Sequence, residues 1–144
     1  MAQATRTVTI DRPVDAVFAF VADGETAPRW RAGVLDIKRL SGDGLGVGTR
    51  YAQGVRGPMG RRVSADYEVT AFEPNRRIEF LTIAGPVRPR GRYDLEPAGD
   101  GTRITFSLEA ALTGLRALLM GGMVQRTMDA EVQALDRLKR VLEA

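Results

Sequence analysis

The sequence predicts an α+β domain: a curved antiparallel seven-stranded sheet wrapped around a long C-terminal helix, with two short helices after strand 1. Three observations predict it. Val8 and Ile10 alternate with Thr7, Thr9 and Asp11 near the start, segments of period 2 fill the stretch from Val34 to Ala111, and apolar residues recur at helical spacing from Gly114 onward. Period 2 marks a strand with one buried face, and a sheet with one apolar face needs a cover.

Residues 5–11 form the first strand. Pro13 suits the first position of a helix, Asp15 lies in the first turn where the helix dipole favours an anion, and Val14, Val17, Phe18 and Val21 carry the helix to Ala22. Asp23-Gly24 stops it, and residues 25–30 make a second short helical turn interrupted by Pro28. Strands follow at 34–41, 49–55, 61–72, 77–83, 88–96 and 102–111. Breaks such as Gly42-Asp43-Gly44 and Glu73-Pro74-Asn75 join them.

Two strands show their faces plainly. Thr102, Ile104, Phe106, Leu108 and Ala110 alternate with Arg103, Thr105, Ser107, Glu109 and Ala111, and Val63, Ala65, Tyr67, Val69 and Ala71 alternate with Arg62, Ser64, Asp66, Glu68 and Thr70. The first set of each pair faces the interior. In the C-terminal segment Met128, Val132, Leu135, Leu138 and Leu142 form one stripe of an amphipathic helix, the expected cover of the sheet. Gly121-Gly122 lies inside that pattern, and a Gly there disfavours helix by about 1 kcal/mol relative to Ala, so a kink is expected at that point.

The chain has 144 residues, 44% of them hydrophobic and 27% charged, the size and composition of a single globular domain spanning residues 1–144. The most apolar stretch, residues 112–124, is interrupted by Arg116, Gly121 and Gly122, so no membrane-spanning segment is expected. The N-terminus lacks a basic segment followed by an apolar one, which with the absence of cysteine predicts a cytoplasmic location. Without cysteine or histidine, the thiolate nucleophile, the Ser-His-Asp triad, the usual zinc site and the usual haem ligand are excluded; no metal and no cofactor is expected. Any catalysis rests on Asp, Glu, Tyr, Arg or Lys. The net charge is +3, and 19 of the 21 basic residues are arginine, the lysines being Lys38 and Lys139. So small an excess does not predict nucleic-acid binding.

At this point a resemblance emerges. Residues 9–18 (Thr-Ile-Asp-Arg-Pro-Val-Asp-Ala-Val-Phe), Ala27-Pro28-Arg29-Trp30, Gly46-Val47-Gly48-Thr49-Arg50, residues 72–80 (Phe-Glu-Pro-Asn-Arg-Arg-Ile-Glu-Phe) and Gly101-Thr102-Arg103-Ile104-Thr105-Phe106 resemble the polyketide cyclase/dehydrase family of the START-like (SRPBCC) superfamily. That superfamily has the helix-grip fold shared with the birch pollen allergens. The resemblance covers nearly the whole chain, and its motifs belong to the fold and none is catalytic. It implies a deep, mainly apolar cavity between sheet and long helix, used by different members for lipids, sterols, polyketides or hormones, and by a few for cyclisation or dehydration.

By alternation Tyr51, Tyr67 and Tyr93 fall on interior faces with Phe80 and Phe106, and Gln53 shares the Tyr51 face. Trp30 ends the short helical pair, and Met123 and Met128 lie near the start of the long helix. These nine residues are the expected ligand contacts. Each also has an ordinary structural role: Trp30 as a core plug, the tyrosines as buried hydroxyls satisfied within the fold, the methionines, Met120 with them, as gap-fillers. Arg88, Arg90 and Arg92 share a face with Asp94 and Glu96, an ion-pairing outer surface. Arg56, Arg61 and Arg62 flank Gly57-Pro58-Met59-Gly60, a loop placed to close a cavity mouth, and Gly42 to Gly48 lacks the Gly-Lys-Ser/Thr ending of a phosphate loop.

Two functions compete. The first is binding of a hydrophobic small molecule (lipid, polyketide or other ring-containing metabolite), oriented by the tyrosines and Gln53. The second is a cyclase or dehydratase in which a pocket Tyr, or Glu131 as the acid of the long helix placed to turn inward, moves a proton. The sequence contains no evident acid/base pair, so binding leads, and catalytic residues stay unassigned. A partner-binding module has only the arginine-rich strand faces behind it. A monomer or homodimer fits equally.

Overall fold

The structure is a computed structural model that describes residues 2–40, 44–85, 87–111 and 114–144, with the side chains of 58 and 114–120 not among those described. β1 (Ala2–Ile10) leads into α1 (Val14–Ala22), a 3-10 turn at Gly24–Arg29, and then β2 (Val34–Arg39), β3 (Arg50–Arg56), β4 (Arg62–Ser64), β5 (Tyr67–Glu73), β6 (Arg77–Thr82), β7 (Arg90–Ala98) and β8 (Gly101–Ala110). Two helices, α2 (Gly114–Val132) and α3 (Ala134–Glu143), close the chain. The antiparallel sheet runs β1-β8-β7-β6-β5-β3-β2, a curled seven-stranded half-barrel, and the three-residue β4 hangs on β3. This is the expected helix-grip architecture.

Pro13 is the cap of α1 and not its first residue: its ψ of 149° is extended while its carbonyl already accepts the N–H of Ala16 and Val17. Val17, Phe18 and Val21 are the buried face of α1. The following 3-10 turn is capped by Asp23, whose carboxylate accepts the Glu25 N–H at 3.1 Å.

The strand expected over 61–72 is two strands. Ala65 donates to the Gln53 carbonyl and Asp66 accepts the Gln53 N–H at 3.0 Å, so a side chain takes over a ladder bond and the chain bends between β4 and β5. A bulge between Val69 and Ala71 then reverses the phase of β5. Ala71, expected inward, lies opposite Glu79, whereas Phe72 lies opposite the buried Ile78 and meets Phe18 edge-on at 5.3 Å.

The C-terminal cover also departs from expectation. Gly121-Gly122 stays within α2, and the helix breaks at Gln133. A helix-interior Gly lowers propensity without preventing helical geometry. The inward line of α2 is Val124, Met128 and Val132, continued by Leu135 and Leu138 in α3. Three polar ties lay α3 along β1: Asp136 grips Arg6 through both carboxylate oxygens (2.8 and 3.0 Å), Lys139 donates to the Thr9 carbonyl, and Glu143 accepts the Asp11 N–H. The outer face of the sheet carries the expected ion pairs, among them Arg92 with Asp94, Arg103 with Glu96 and Arg77 with Asp94. Ser41, Gly42, Asp43 and Leu112, which enter the sequence expectations, lie outside the described residues, as does the side chain of Met120.

Candidate functional site

One row of five rings crosses the concave face of the sheet. Antiparallel register sets Tyr51 beside Tyr67 and Tyr93 beside Phe106, while Phe80 lies opposite Gly91. The rings follow as Tyr51–Tyr67 (4.9 Å, stacked), Tyr67–Phe80 (5.1 Å), Phe80–Tyr93 (6.0 Å) and Tyr93–Phe106 (4.4 Å, stacked). Each strand from β3 to β8 along the sheet path contributes one ring, because each pairs with its neighbour at an inward position. Gly91 makes room for this row: a Cβ there would lie 2.1 Å from Cζ of Phe80.

The opposite wall is the 3-10 turn and its flanks. Gly24 presses onto the row so closely that a Cβ would sit 2.5 Å from the Tyr67 hydroxyl, and its N–H donates to the Tyr51 hydroxyl at 3.2 Å. Trp30 stands against Tyr93 at 6.1 Å, 2% exposed, and its indole Nε1 has no hydrogen-bond partner among the described residues. Among the described residues, no hydrogen bond reaches the hydroxyl of Tyr67 or Tyr93 either. Burial, the largest influence on both, pushes these phenols above their ordinary pKa, so they stay protonated and able to donate.

A charged group sits in this apolar surrounding. Arg31 is 8% exposed; its Nε donates to Glu131 and its Nη1 to Oε1 of Gln53 at 3.1 Å. Burial works against its charge, but the field of the Glu131 carboxylate and the hydrogen bond to it outweigh that cost, and the guanidinium pKa lies above its ordinary value. Gln53 is fixed in turn, its Nε2 donating to the Ala65 carbonyl at 3.1 Å. Glu131 has thus turned inward from α2 as an ion-pair partner.

Among the described residues, the deep cavity that the resemblance implied is nearly closed at the aromatic row. About 20 Å³ remains between the row and the 3-10 turn, bordered by Gly24, Trp30, Arg31, Tyr51, Tyr67 and Tyr93 among others, which is room for about one water. Of the nine expected contacts, Trp30, Tyr51, Tyr67, Phe80 and Tyr93 border this space. Phe106 lies under Tyr93 at the end of the row, Gln53 reaches the site through Arg31, and Met128 is buried in the core. Met123 is 44% exposed, one residue and therefore about 100° off the inward line through Val124. Among the described residues, none of the 57–60 loop borders the space, and Met59 at its tip is 95% exposed. Arg31 is the residue the sequence did not single out. An arginine in a turn between helix and strand is solvated by default, and no periodicity covers a position outside regular elements.

A model of the family described as polyketide cyclase/dehydrase and lipid transport matches residues 1–143. Among curated proteins no match to the chain was found. Solved structures with the same fold include a protein of Thermus thermophilus (23% identity, TM-score 0.80, covering 96% of this chain and 94% of that one). A START superfamily protein from Mycobacterium smegmatis is 21% identical with a TM-score of 0.73, covering 99% and 95%. The di-domain ARO/CYC StfQ from the steffimycin biosynthetic pathway is 12% identical with a TM-score of 0.80, 99% of this chain lying on 50% of that one. The match over nearly its full length, on a half-barrel gripping a C-terminal helix, makes this chain a member of the polyketide cyclase/dehydrase and lipid transport family.

Proposed function

We propose that the protein binds a hydrophobic, ring-containing small molecule between the aromatic row and the wall formed by the 3-10 turn and the C-terminal helices, acting in the cytoplasm without metal or cofactor. The Trp30 Nε1, unpartnered among the described residues, carries this reading. An unsatisfied buried donor costs about 1–3 kcal/mol, and a core selected for stability alone would not retain it beside two further idle hydroxyls. A flat ligand sliding between the rings gains stacking surface and takes these donors. The space present holds one water, so binding requires the 3-10 turn to move off the row, with Gly24 and Trp30 shifting together. The test is thermal denaturation against a panel of flat polycyclic and fatty compounds, neutral and acidic. A ligand that binds only the folded state at a hundredfold excess over its dissociation constant adds about 2.7 kcal/mol, a readily measured melting shift. No shift across the panel sinks the reading.

The second reading is a cyclase or dehydratase. The protonated phenols of Tyr67 and Tyr93 beside Arg31 favour it, since hydroxyls that keep their protons can donate hydrogen bonds to a carbonyl oxygen on which negative charge develops. Turnover of a polyketide-like substrate, lost in Tyr93→Phe with ligand affinity retained, would replace the first reading with this one.

A further inference from the structure

We propose that Arg31 selects the ligand: the site takes a ring-bearing anion whose carboxylate or phenolate oxygen displaces Glu131 from the guanidinium. This rests on the binding reading above and narrows it to a chemical class.

Most polar side chains bordering the residual space carry donors; the hydroxyls of Tyr51 and Thr26 are already engaged, Tyr51 accepting the Gly24 N–H and Thr26 donating to the Phe20 and Asp23 carbonyls. Trp30 Nε1 can only donate, Arg31 can only donate, and the buried phenols of Tyr67 and Tyr93 hold their protons. Asp23, a carboxylate at the edge of this space, is already occupied in capping the Glu25 N–H. Of the five N–H donors of a guanidinium, Arg31 uses one toward Glu131 and one toward Gln53, leaving three without a partner among the described residues. A lining of this kind is matched by an acceptor, and best by a charged one, because charge-assisted hydrogen bonds are about twice as strong as neutral ones.

Glu131 is built to be exchanged. It comes from α2, while Arg31 comes from the turn before β2, and among the described residues this pair is the one side-chain hydrogen bond or ion pair joining the 24–40 segment to α2. The Glu131 side chain is 21% exposed against 10% for Arg31, so the carboxylate has a path back to water and the guanidinium has little. A buried cation needs an anion at all times. An incoming oxyanion satisfies that need, frees Glu131 to be hydrated, and at the same stroke unties the 3-10 segment from α2, the motion that a ligand larger than one water requires. Glu131 is therefore the resident competitor of the ligand.

The test is titration calorimetry with a matched pair, 2-naphthoate and its neutral isostere 2-acetylnaphthalene, on the whole chain. The expected result is that naphthoate binds at least about tenfold more tightly than the ketone. Glu131→Gln, which removes the competing charge, raises that preference several-fold further, and Arg31→Gln/Glu131→Gln, which keeps neutral hydrogen-bonding groups at both positions, abolishes it. Should the double variant fail to fold by circular dichroism, the Glu131→Gln arm decides alone. Equal affinities for the pair, an unchanged or reduced preference in Glu131→Gln, or neither probe binding while other compounds shift the melting point, overturns the assignment and leaves the binding reading intact. Absence of a shift with every compound removes both.

Discussion

The phenols of Tyr51, Tyr67 and Tyr93 are all raised above their ordinary pKa of 10.0, burial being the largest cause in each. In the unfolded chain they titrate near that ordinary value. Below pH 10 both states hold the protons and the contribution is fully present. Above it the unfolded chain binds fewer protons than the folded one, and stability falls as pH rises toward the folded values, by up to about 1.4 kcal/mol per pH unit for each phenol. With only two lysines in the chain, few other groups titrate in this window. Urea midpoints measured from pH 8 to 11.5 should drop steeply above pH 10, and Tyr93→Phe should flatten the drop; a midpoint level to pH 11 contradicts the placement of these hydroxyls. At Gly91 the prediction is steric. Gly91→Ala puts a methyl into the ring of Phe80, breaks the row, and should destabilise by about 1–3 kcal/mol in denaturant unfolding.

At the scale of elements, α2 carries two glycines that contribute nothing to packing, since a Cβ at Gly121 or Gly122 meets no atom within 4 Å. Gly121→Ala and Gly122→Ala should each stabilise by up to about 1 kcal/mol, raising the melting temperature. A loss instead of a gain would mean that α2 must bend there. The Arg6–Asp136 clamp between β1 and α3 has both side chains more than a third exposed, 36% and 39%, so solvent screens it despite its bidentate geometry. Asp136→Ala should lower stability by no more than about 1 kcal/mol in urea unfolding, whereas Leu135→Ala and Leu138→Ala, which empty fully buried positions of the same helix, should each cost about 2–5 kcal/mol. Apolar burial, and not the surface clamp, docks α3.

For the whole molecule, the charge balance bears on partners. The net charge is +3, and Arg50, Arg62, Arg77, Arg92 and Arg103 on the strands each lie within 4 Å of a carboxylate. Such arginines release few counterions on meeting a phosphate backbone. Duplex DNA should therefore bind more weakly than about micromolar at physiological salt; tighter binding with a steep salt slope contradicts this. Among the described residues no helix is long and apolar enough to cross a membrane.

The sequence alone determined the α+β class, most of the order of elements and the inward set of rings, because period 2 and period 3.6 are local properties that Tyr51, Tyr67, Phe80, Tyr93 and Phe106 obey one by one, while the helix-grip class followed from the family resemblance. It also marked Gln53 and Glu131 as polar candidates. What it did not contain is the register between strands, which alone turns five separate inward rings into one row, nor the bulge that swaps Ala71 for Phe72, since both depend on hydrogen bonds across the sheet. Arg31 lies outside any periodic element, and its burial arises only when β3 and α2, remote in sequence, bring Gln53 and Glu131 to its guanidinium. The volume of the interior was equally beyond reach. A pattern of faces says which side chains point inward, whereas the room left among them is a small difference between two large volumes that packing in three dimensions sets.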